Sequence, residues 1–281
     1  MLPALAGAGR QAPRRGVDDW FNGIDVVDGW AWSVGTGGQV AHWAVGGGTR
    51  QVWSLGADDD VQAIDMVTAS IGYVVTAAKQ QGAKAGVSKT SDGGRHWTRK
   101  LTVAVDVLSA VKFRTTKLGW VAGRGGTIHK TVNAGKTWRG QDSWTAEALY
   151  GVDFVSTTTG WVVGGDTVGY CVGTTDGGKR WYSKGSSLPP LVAVDLVNAT
   201  TGWVVGNAGA WPDLNGRVIR VSARGATWTD QSATVDPSPP DYGLVALKVV
   251  DAKHAYAGGQ GEASLYTDDG ALWHLAHIAE P

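Results

Sequence analysis

Six imperfect copies of one motif run along this chain at intervals of 41 to 47 residues, and few folds accommodate such a repeat. Each copy places an aromatic residue after a small one, then a Gly-rich stretch, then a polar turn closed by tryptophan. The opening aromatics read as Trp30, Tyr73, Trp120, Trp161, Trp203 and Tyr256. The closing residues read as Trp53, Trp97, Trp138, Trp181, Trp228 and Trp273. A period of this length, built from short strands, marks the blade of a β-propeller. Each unit buries its faces only against its neighbours, so the copies belong to one domain.

The third copy shows the plan most clearly. Ser109 to Arg114 alternates apolar and polar residues, as a half-buried strand does. Leu118 to Gly123 and Thr127 to Thr131 are further strands. Asn133-Ala134-Gly135-Lys136 is a tight Asn/Gly turn, and Thr137-Trp138-Arg139 opens a fourth strand. The first strands of the other copies centre on Asp25, Asp65, Asp153, Asp195 and Lys248. No segment has helical periodicity. The expected fold is all-β: a single β-propeller of six four-stranded blades over residues 21–281, or a seven-bladed ring whose first blade is incomplete. Residues 1–20 read as a separate N-terminal segment, either ring-closing or the remnant of a presequence. The proline-rich stretch from Asp230 to Asp241 reads as an inter-blade loop.

Charge narrows the function classes. Lys plus Arg equals Asp plus Glu, 25 of each, so no global excess points to nucleic acid. No apolar run approaches the roughly 20 residues of a membrane helix. Cys171 is the sole cysteine, in the apolar run Tyr170-Cys171-Val172. It reads as a small buried hydrophobe rather than a reactive thiol. No cofactor motif is present: the Gly-rich stretches do not open a helix, so they are strand turns and not nucleotide loops.

The turn before the closing tryptophan is Thr90-Ser91-Asp92-Gly93-Gly94-Arg95-His96-Trp97 in copy 2, and Thr174-Thr175-Asp176-Gly177-Gly178-Lys179-Arg180-Trp181 in copy 4. Copy 6 keeps Asp269 and copy 3 has Asn133 in place of Asp; copy 5 lacks the acid and copy 1 is degenerate. An Asp or Asn here accepts N–H bonds of its own turn, while Gly supplies φ > 0. The pattern resembles the Asp box, S/T-x-D-x-G-x-x-W, of bacterial neuraminidase repeats, which implies a structural turn and not a catalyst. Joined to Gly119-Trp120-Val121-Ala122-Gly123, Gly160-Trp161-Val162-Val163-Gly164 and Gly202-Trp203-Val204-Val205-Gly206, it is similar to the repeat of the photosystem II stability/assembly factor family. The resemblance spans about residues 20–275. It implies a non-catalytic, extracytoplasmic propeller that assists assembly of a membrane protein complex.

Three constellations are candidates for function. From Val107 to Gln141 there is no acid, and Lys112, Arg114, Lys117 and Arg124 form a candidate dock for an acidic protein partner. Alternation places Lys112 and Arg114 on one face of a strand; the structural alternative is a solvated blade edge. The equivalent first-strand sites Asp25, Asp65, Lys112, Asp153, Asp195 and Lys248 form a candidate polar ring around the channel. That ring either holds a polar ligand or pairs internally to keep the blades in register. Catalysis has weaker support. Of the three glutamates, Glu147 lies with Tyr150 in a connection, Glu280 is terminal, and Glu262 completes the set. A glycosidase needs two carboxylates some 5–10 Å apart, for which Asp65, Asp153 and Asp195 are the candidates. Trp20, Trp32, Trp43, Trp144 and Trp211 fall outside the repeat and are candidate sugar platforms. His274 and His277 point to opposite faces of a strand and do not share a metal.

The favoured reading is a binding or assembly scaffold that engages a protein partner. The alternative is a secreted carbohydrate-active protein, a glycoside hydrolase or lectin, with a glycan as ligand.

Overall fold

The computed structural model describes residues 21–56, 59–80, 82–185, 188–208, 215–232, 235–236, 243–259 and 264–275. Six antiparallel blades stand in a ring, a six-bladed β-propeller with almost no helix. Blade 1 comprises β1 (Phe21–Val27), β2 (Trp30–Gly35), β3 (Gln39–Ala44) and β4 (Gln51–Ser54). Blade 2 comprises β5 (Asp59–Met66), β6 (Gly72–Ala78), β7 (Gly86–Thr90) and β8 (Thr98–Thr102). Blade 3 comprises β9 (Leu108–Phe113), β10 (Gly119–Gly123), β11 (Thr127–Thr131) and β12 (Arg139–Gln141). Blade 4 comprises β13 (Leu149–Phe154), β14 (Gly160–Gly164), β15 (Tyr170–Thr174) and β16 (Tyr182–Ser183). Blade 5 comprises β17 (Leu191–Asn198), β18 (Thr201–Ala208), β19 (Asn215–Ser222) and β20 (Thr227–Asp230). A short strand, β21 (Val235–Asp236), precedes β22 (Leu244–Val249), β23 (Ala255–Gly259), β24 (Ser264–Thr267) and β25 (Trp273–Leu275) of blade 6.

The stretch expected to be only a loop thus contributes a strand: β21 pairs parallel with β25 and widens blade 6 to five strands. The physical reason is the free edge of β25, whose backbone groups need partners. The N-terminal segment of residues 1–20 lies outside the described residues.

Register explains the repeat. The first-strand Asp or Lys stands opposite the second-strand aromatic: Asp65 faces Tyr73, Lys112 faces Trp120, Asp153 faces Trp161, Asp195 faces Trp203 and Lys248 faces Tyr256. The aromatic then packs on the next blade. Tyr73 stacks on Phe113 at 3.6 Å between ring centroids, and Trp120 on Phe154 at 3.5 Å. The closing tryptophans Trp138 and Trp181 meet those phenylalanines edge-on, each at 6.0 Å. Such aromatic pairs add about 0.5–1.5 kcal/mol each beyond their buried area.

The small residue before each aromatic is set by size. Gly72, Gly119, Gly160 and Gly202 lie opposite Met66, Phe113, Phe154 and Leu196, whose side chains occupy the space a Cβ would need. Alanine replaces glycine only where the opposing residue is valine: Ala31 faces Val26, and Ala255 faces Val249.

Blade 1 departs from the sequence reading in two places. Asp25 pairs with Trp32, so Trp32 and not Trp30 is the opening aromatic, and it is fully buried. Gly29-Trp30 and Ala31-Trp32 both fit a small-then-aromatic pattern, and the tight Asp28-Gly29 turn, with both φ positive, shifts the register. His42 pairs with Gln51, so the closing-tryptophan position falls one step further on, at Arg50. Trp53 lies beyond it on β4.

These departures mark the junction of blades 6 and 1. The inner strands β1, β5, β9, β13, β17 and β22 pack successively, and no comparable packing joins β22 to β1 among the described residues. Ile24 is 66% and Val26 54% exposed, although their counterparts Ile64, Val111, Met66 and Phe113 are buried. Tyr256, the blade 6 aromatic, is 50% exposed. It has no closing tryptophan from blade 1 to meet.

A Cβ at Gly119 would sit 2.5 Å from the Phe113 ring. Gly119→Ala should therefore destabilise the protein by about 1–3 kcal/mol, the usual penalty of overpacking. Urea unfolding of the variant beside the wild type measures it; an unchanged midpoint would refute the packing argument.

Candidate functional site: the channel and the turn rim

The inner strands bring the six polar first-strand residues to the axis. Asp25 accepts the Met66 N–H at 2.6 Å, Asp65 the Phe113 N–H at 2.8 Å, Asp153 the Leu196 N–H at 2.9 Å and Asp195 the Val249 N–H at 2.8 Å. Every one of these bonds crosses to the next blade. The recipient always follows the first-strand Asp or Lys of that blade. A charge-assisted bond to a buried N–H is among the stronger protein hydrogen bonds.

Blade 3 carries a lysine in place of the acid, and blade 6 does likewise. Lys112 lies 3.6 Å from Asp65 and 3.6 Å from Asp153, and Lys248 lies 3.5 Å from Asp195. Burial pushes the Asp65 carboxyl up to about 6, against the pull of Lys112. Burial also raises Asp195, helped by the neighbouring Asp153. For Lys112, burial pulls the ammonium down, but Asp65, Asp153, Asp195 and Asp25 together outweigh it and hold its pKa above the ordinary lysine value.

The structure does not gather the four candidate docking cations on one surface. The loops joining first to second strands and third to fourth strands share one rim, here the turn rim; the other connections form the opposite rim. Lys112 points into the channel. Strand β9 ends at Phe113, so Arg114 leaves the strand and lies with Lys117 on the turn rim, both exposed. Arg124 is on the opposite rim and pairs with Asp106 at 3.1 Å.

The turn rim also holds Lys89 and Lys100, which the sequence did not single out, beside Lys136 of the acid-free stretch. Lys89 lies over the Tyr73 ring at 5.5 Å. Burial lowers its pKa, and the nearby Lys100 and Lys136 lower it further. A Cβ at Gly135 would lie 3.5 Å from the Lys100 Cβ across the blade boundary, and the Ala134 N–H donates to the Lys117 carbonyl at 2.9 Å. Lys89, Lys100 and Lys136 have no ion pair among the described residues. Lys89 and Lys100 belong to blade 2 and Lys136 to blade 3, so only the folded ring assembles them.

The turns themselves are built from local bonds. Asp92 accepts from Thr90 Oγ1 at 2.9 Å and from the His96 N–H at 3.0 Å, and Asp176 accepts from Thr174 Oγ1 and the Arg180 N–H. Asn133 and Asp269 accept equivalent bonds. The His96 N–H and the His96 ring hold the Asp92 carboxyl down at about 2.

The remaining candidates are dispersed. Trp32 is buried, Trp43 half-buried and Trp144 75% exposed on the opposite rim. Trp20, Trp211, Glu262, His277 and Glu280 lie outside the described residues. The Tyr150 hydroxyl donates to the Asp166 carboxylate, and the Asp166 N–H donates to the Glu147 carboxylate at 3.2 Å. Burial and the Asp166 carboxylate push the Tyr150 phenol up to about 12, the reverse of what a nucleophilic tyrosine needs. Burial pushes the Cys171 thiol up as well. No helix among the described residues is long and apolar enough to cross a membrane.

No family model matches this chain, and no curated protein matches it. Solved structures do. YCF48 from Cyanidioschyzon merolae has a TM-score of 0.70 at 16% identity, over 97% of this chain and 89% of that one. YCF48 bound to D1 peptide has a TM-score of 0.67 at 14% identity, over 92% of this chain and 82% of that one. The Niastella koreensis GH74 enzyme has a TM-score of 0.70 at 17% identity, over 91% of this chain but 45% of that one. The likeness to YCF48 bears out the expected propeller and establishes the fold.

Two outcomes test the channel. The Asp65 carboxyl should titrate near pH 6 by carbon-13 NMR, and Lys112→Met should move the midpoint higher, since an attraction is lost. Because the folded midpoint exceeds the unfolded value of 3.8, the Asp65 contribution to stability is fully present below that value and is lost as the pH rises through 6. Asp153→Ala should cost about 1–3 kcal/mol by leaving the buried Leu196 N–H without its acceptor, whereas Asp268→Ala on the surface should change little.

Proposed function

We propose that this protein is a non-enzymatic propeller that binds an acidic segment of a protein partner on the turn rim of blades 2 and 3. The carrying observation is the cluster of Lys89, Lys100 and Lys136 on one rim without carboxylate partners among the described residues; burial lowers the Lys89 pKa and the two neighbouring charges lower it further. Assembling like charges costs free energy that an acidic ligand would return. Arg114 and Lys117 extend the patch. Lys112 and Arg124, already paired with acids, do not belong to it.

Two further observations support this reading. The carboxylates suited by type to glycosidase chemistry, Asp65, Asp153 and Asp195, are each engaged by an inter-blade N–H and a lysine. They serve the ring and do not face a substrate as a free pair. A protein of the same fold, YCF48, has been solved bound to D1 peptide. The resemblance of the repeats extends the proposal to an extracytoplasmic or membrane-associated complex with Asp-box turns.

Fluorescence anisotropy with a labelled glutamate-rich peptide tests the patch. Wild type should bind it with an affinity that falls as salt rises. The variant with the exposed Lys100 and Lys136 changed to Glu should lose at least about tenfold without loss of thermal stability, Lys89 being kept because it packs over Tyr73. Equal binding by the two proteins, or none by either, would overturn the proposal.

A further inference from the structure

The outer edge of the blade boundaries follows its own rule. In three blades the third-strand residue opposite the buried aromatic is a cation laid over its ring: Lys89 over Tyr73, Lys130 over Trp120 at 5.4 Å, and Arg220 over Trp203 at 5.3 Å. Lys130 and Arg220 also donate to turn carbonyls of the next blade, Gly177 at 2.7 Å and Gly270 at 3.0 Å. These long side chains fill the edge of the boundary.

The other three blades carry no cation there: Gly173 lies opposite Trp161 and Tyr266 opposite Tyr256, and blade 1 differs again. Its residue opposite Trp32 is His42, which is shorter and flat. Its ring packs on Trp32 at 4.8 Å. It is flanked by Trp30 at 4.5 Å and 20° and by Trp53 at 5.5 Å and 26°. Burial, and then the Arg95 charge, lower its pKa. The two tryptophans that do not take the repeat's positions thus form a near-parallel stack around a histidine. Trp30 keeps 41% of its surface exposed. The stack lines a cleft of about 470 Å³ between blades 1 and 2, whose polar lining includes Thr49, Gln51, Ser70, Asp92 and Arg95. Arg95 makes no hydrogen bond or ion pair among the described residues.

We infer that this cleft is a non-catalytic binding site for an acidic saccharide, with the C–H face of a uronate ring on Trp30 and its carboxylate on Arg95. Each feature has a reason. An exposed indole face attracts the flat, weakly polar C–H face of a pyranose. Thr49, Gln51 and Ser70 offer hydroxyl-matching donors and acceptors around an aromatic floor, the usual make-up of a small-ligand pocket. An unpartnered guanidinium presents the planar fork that matches a carboxylate. A phosphate group fits less well, because among the described lining residues Arg95 is the one Lys or Arg and the Asp92 carboxylate shares the cleft. Asp92 is tied to the His96 N–H and the Thr90 hydroxyl, so the cleft lacks the pair of free carboxylates that glycoside hydrolysis requires.

This site is independent of the lysine patch, and its test is separate. Titration calorimetry with trigalacturonate, a mannuronate tetramer and a hyaluronan tetrasaccharide should give saturable binding of at least one, with a dissociation constant of about 1 mM or tighter. Trp30→Ala should weaken that binding at least about tenfold, and Arg95→Gln should do the same. Arg95→Gln should leave the melting temperature unchanged, because that side chain is exposed; Trp30→Ala gives up the stack on His42, so its binding is measured well below the variant's own melting temperature. Cellotriose should be bound more weakly than the acidic probe by wild type and unaffected by Arg95→Gln. Absence of binding for all three acidic probes, or binding that both variants retain, would overturn the inference. Stronger binding of ADP than of every acidic saccharide would overturn the ligand class.

Discussion

The ring depends on one hydrogen bond made across successive blades: a first-strand aspartate accepts the backbone N–H that follows the corresponding residue of the next blade. Asp25, Asp65, Asp153 and Asp195 make it. The bond is directional, so it fixes the rotation of one blade against its neighbour as well as the distance. Its energy derives from burial, where an unsatisfied N–H or carboxylate is expensive. The aromatic stacks above it, such as Tyr73 on Phe113 and Trp120 on Phe154, supply area and dispersion; the aspartate supplies register.

The same bond creates a charge problem that the sequence solves with two lysines. Four carboxylates around one axis repel each other, and burial raises the free energy of each charge. Lys112 between Asp65 and Asp153, and Lys248 beside Asp195, offset that repulsion. Each lysine gives up the acceptor that its own blade would have offered the next. The Phe154 side of blade 3 relies instead on the Trp120 stack. At blade 6 the change coincides with the exposed junction of Tyr256, Ile24 and Val26. In a channel arranged this way the carboxylates are engaged with one another's blades and with the two lysines.

The outer surfaces differ because the copies have diverged where packing allows it. Position by position, the residue above the buried aromatic is Lys89, Lys130 or Arg220 in some blades and His42 in blade 1. The first choice yields a basic rim, the second an aromatic cleft. Neither change disturbs the inner strands, where the Gly–aromatic pairs leave almost no volume to spare. A propeller can therefore specialise blade by blade at its edge while its centre stays constant.

The sequence by itself determined the class of fold, the six repeats and the local turns; that the blades number six and not seven was decided by the structure. The first three rest on short-range physics: strand alternation, glycine opposite a bulky residue, and Asp or Asn closing its own turn. The sequence also placed Asp25, Asp65, Asp153 and Asp195 at equivalent positions, because in five of the six blades the aromatic follows the first-strand polar site by eight positions. In blade 1 it follows by seven, and that single difference was the available signal that Trp32, not Trp30, belongs to the repeat. Only the tertiary structure decided which charges meet. Lys112 and Arg114 are neighbours in sequence yet part at the end of β9, one to the channel and one to the rim, and Arg124 goes to the opposite rim beside Asp106. Lys89, Lys100 and Lys136, spread over two repeats, come together only when blade 3 closes on blade 2. Trp30, His42, Trp53 and Arg95 likewise form a cleft only once two blades are in contact. Periodicity encodes each strand's own neighbours, whereas each proposed binding surface is a relation between blades, set by long-range packing that no local pattern records.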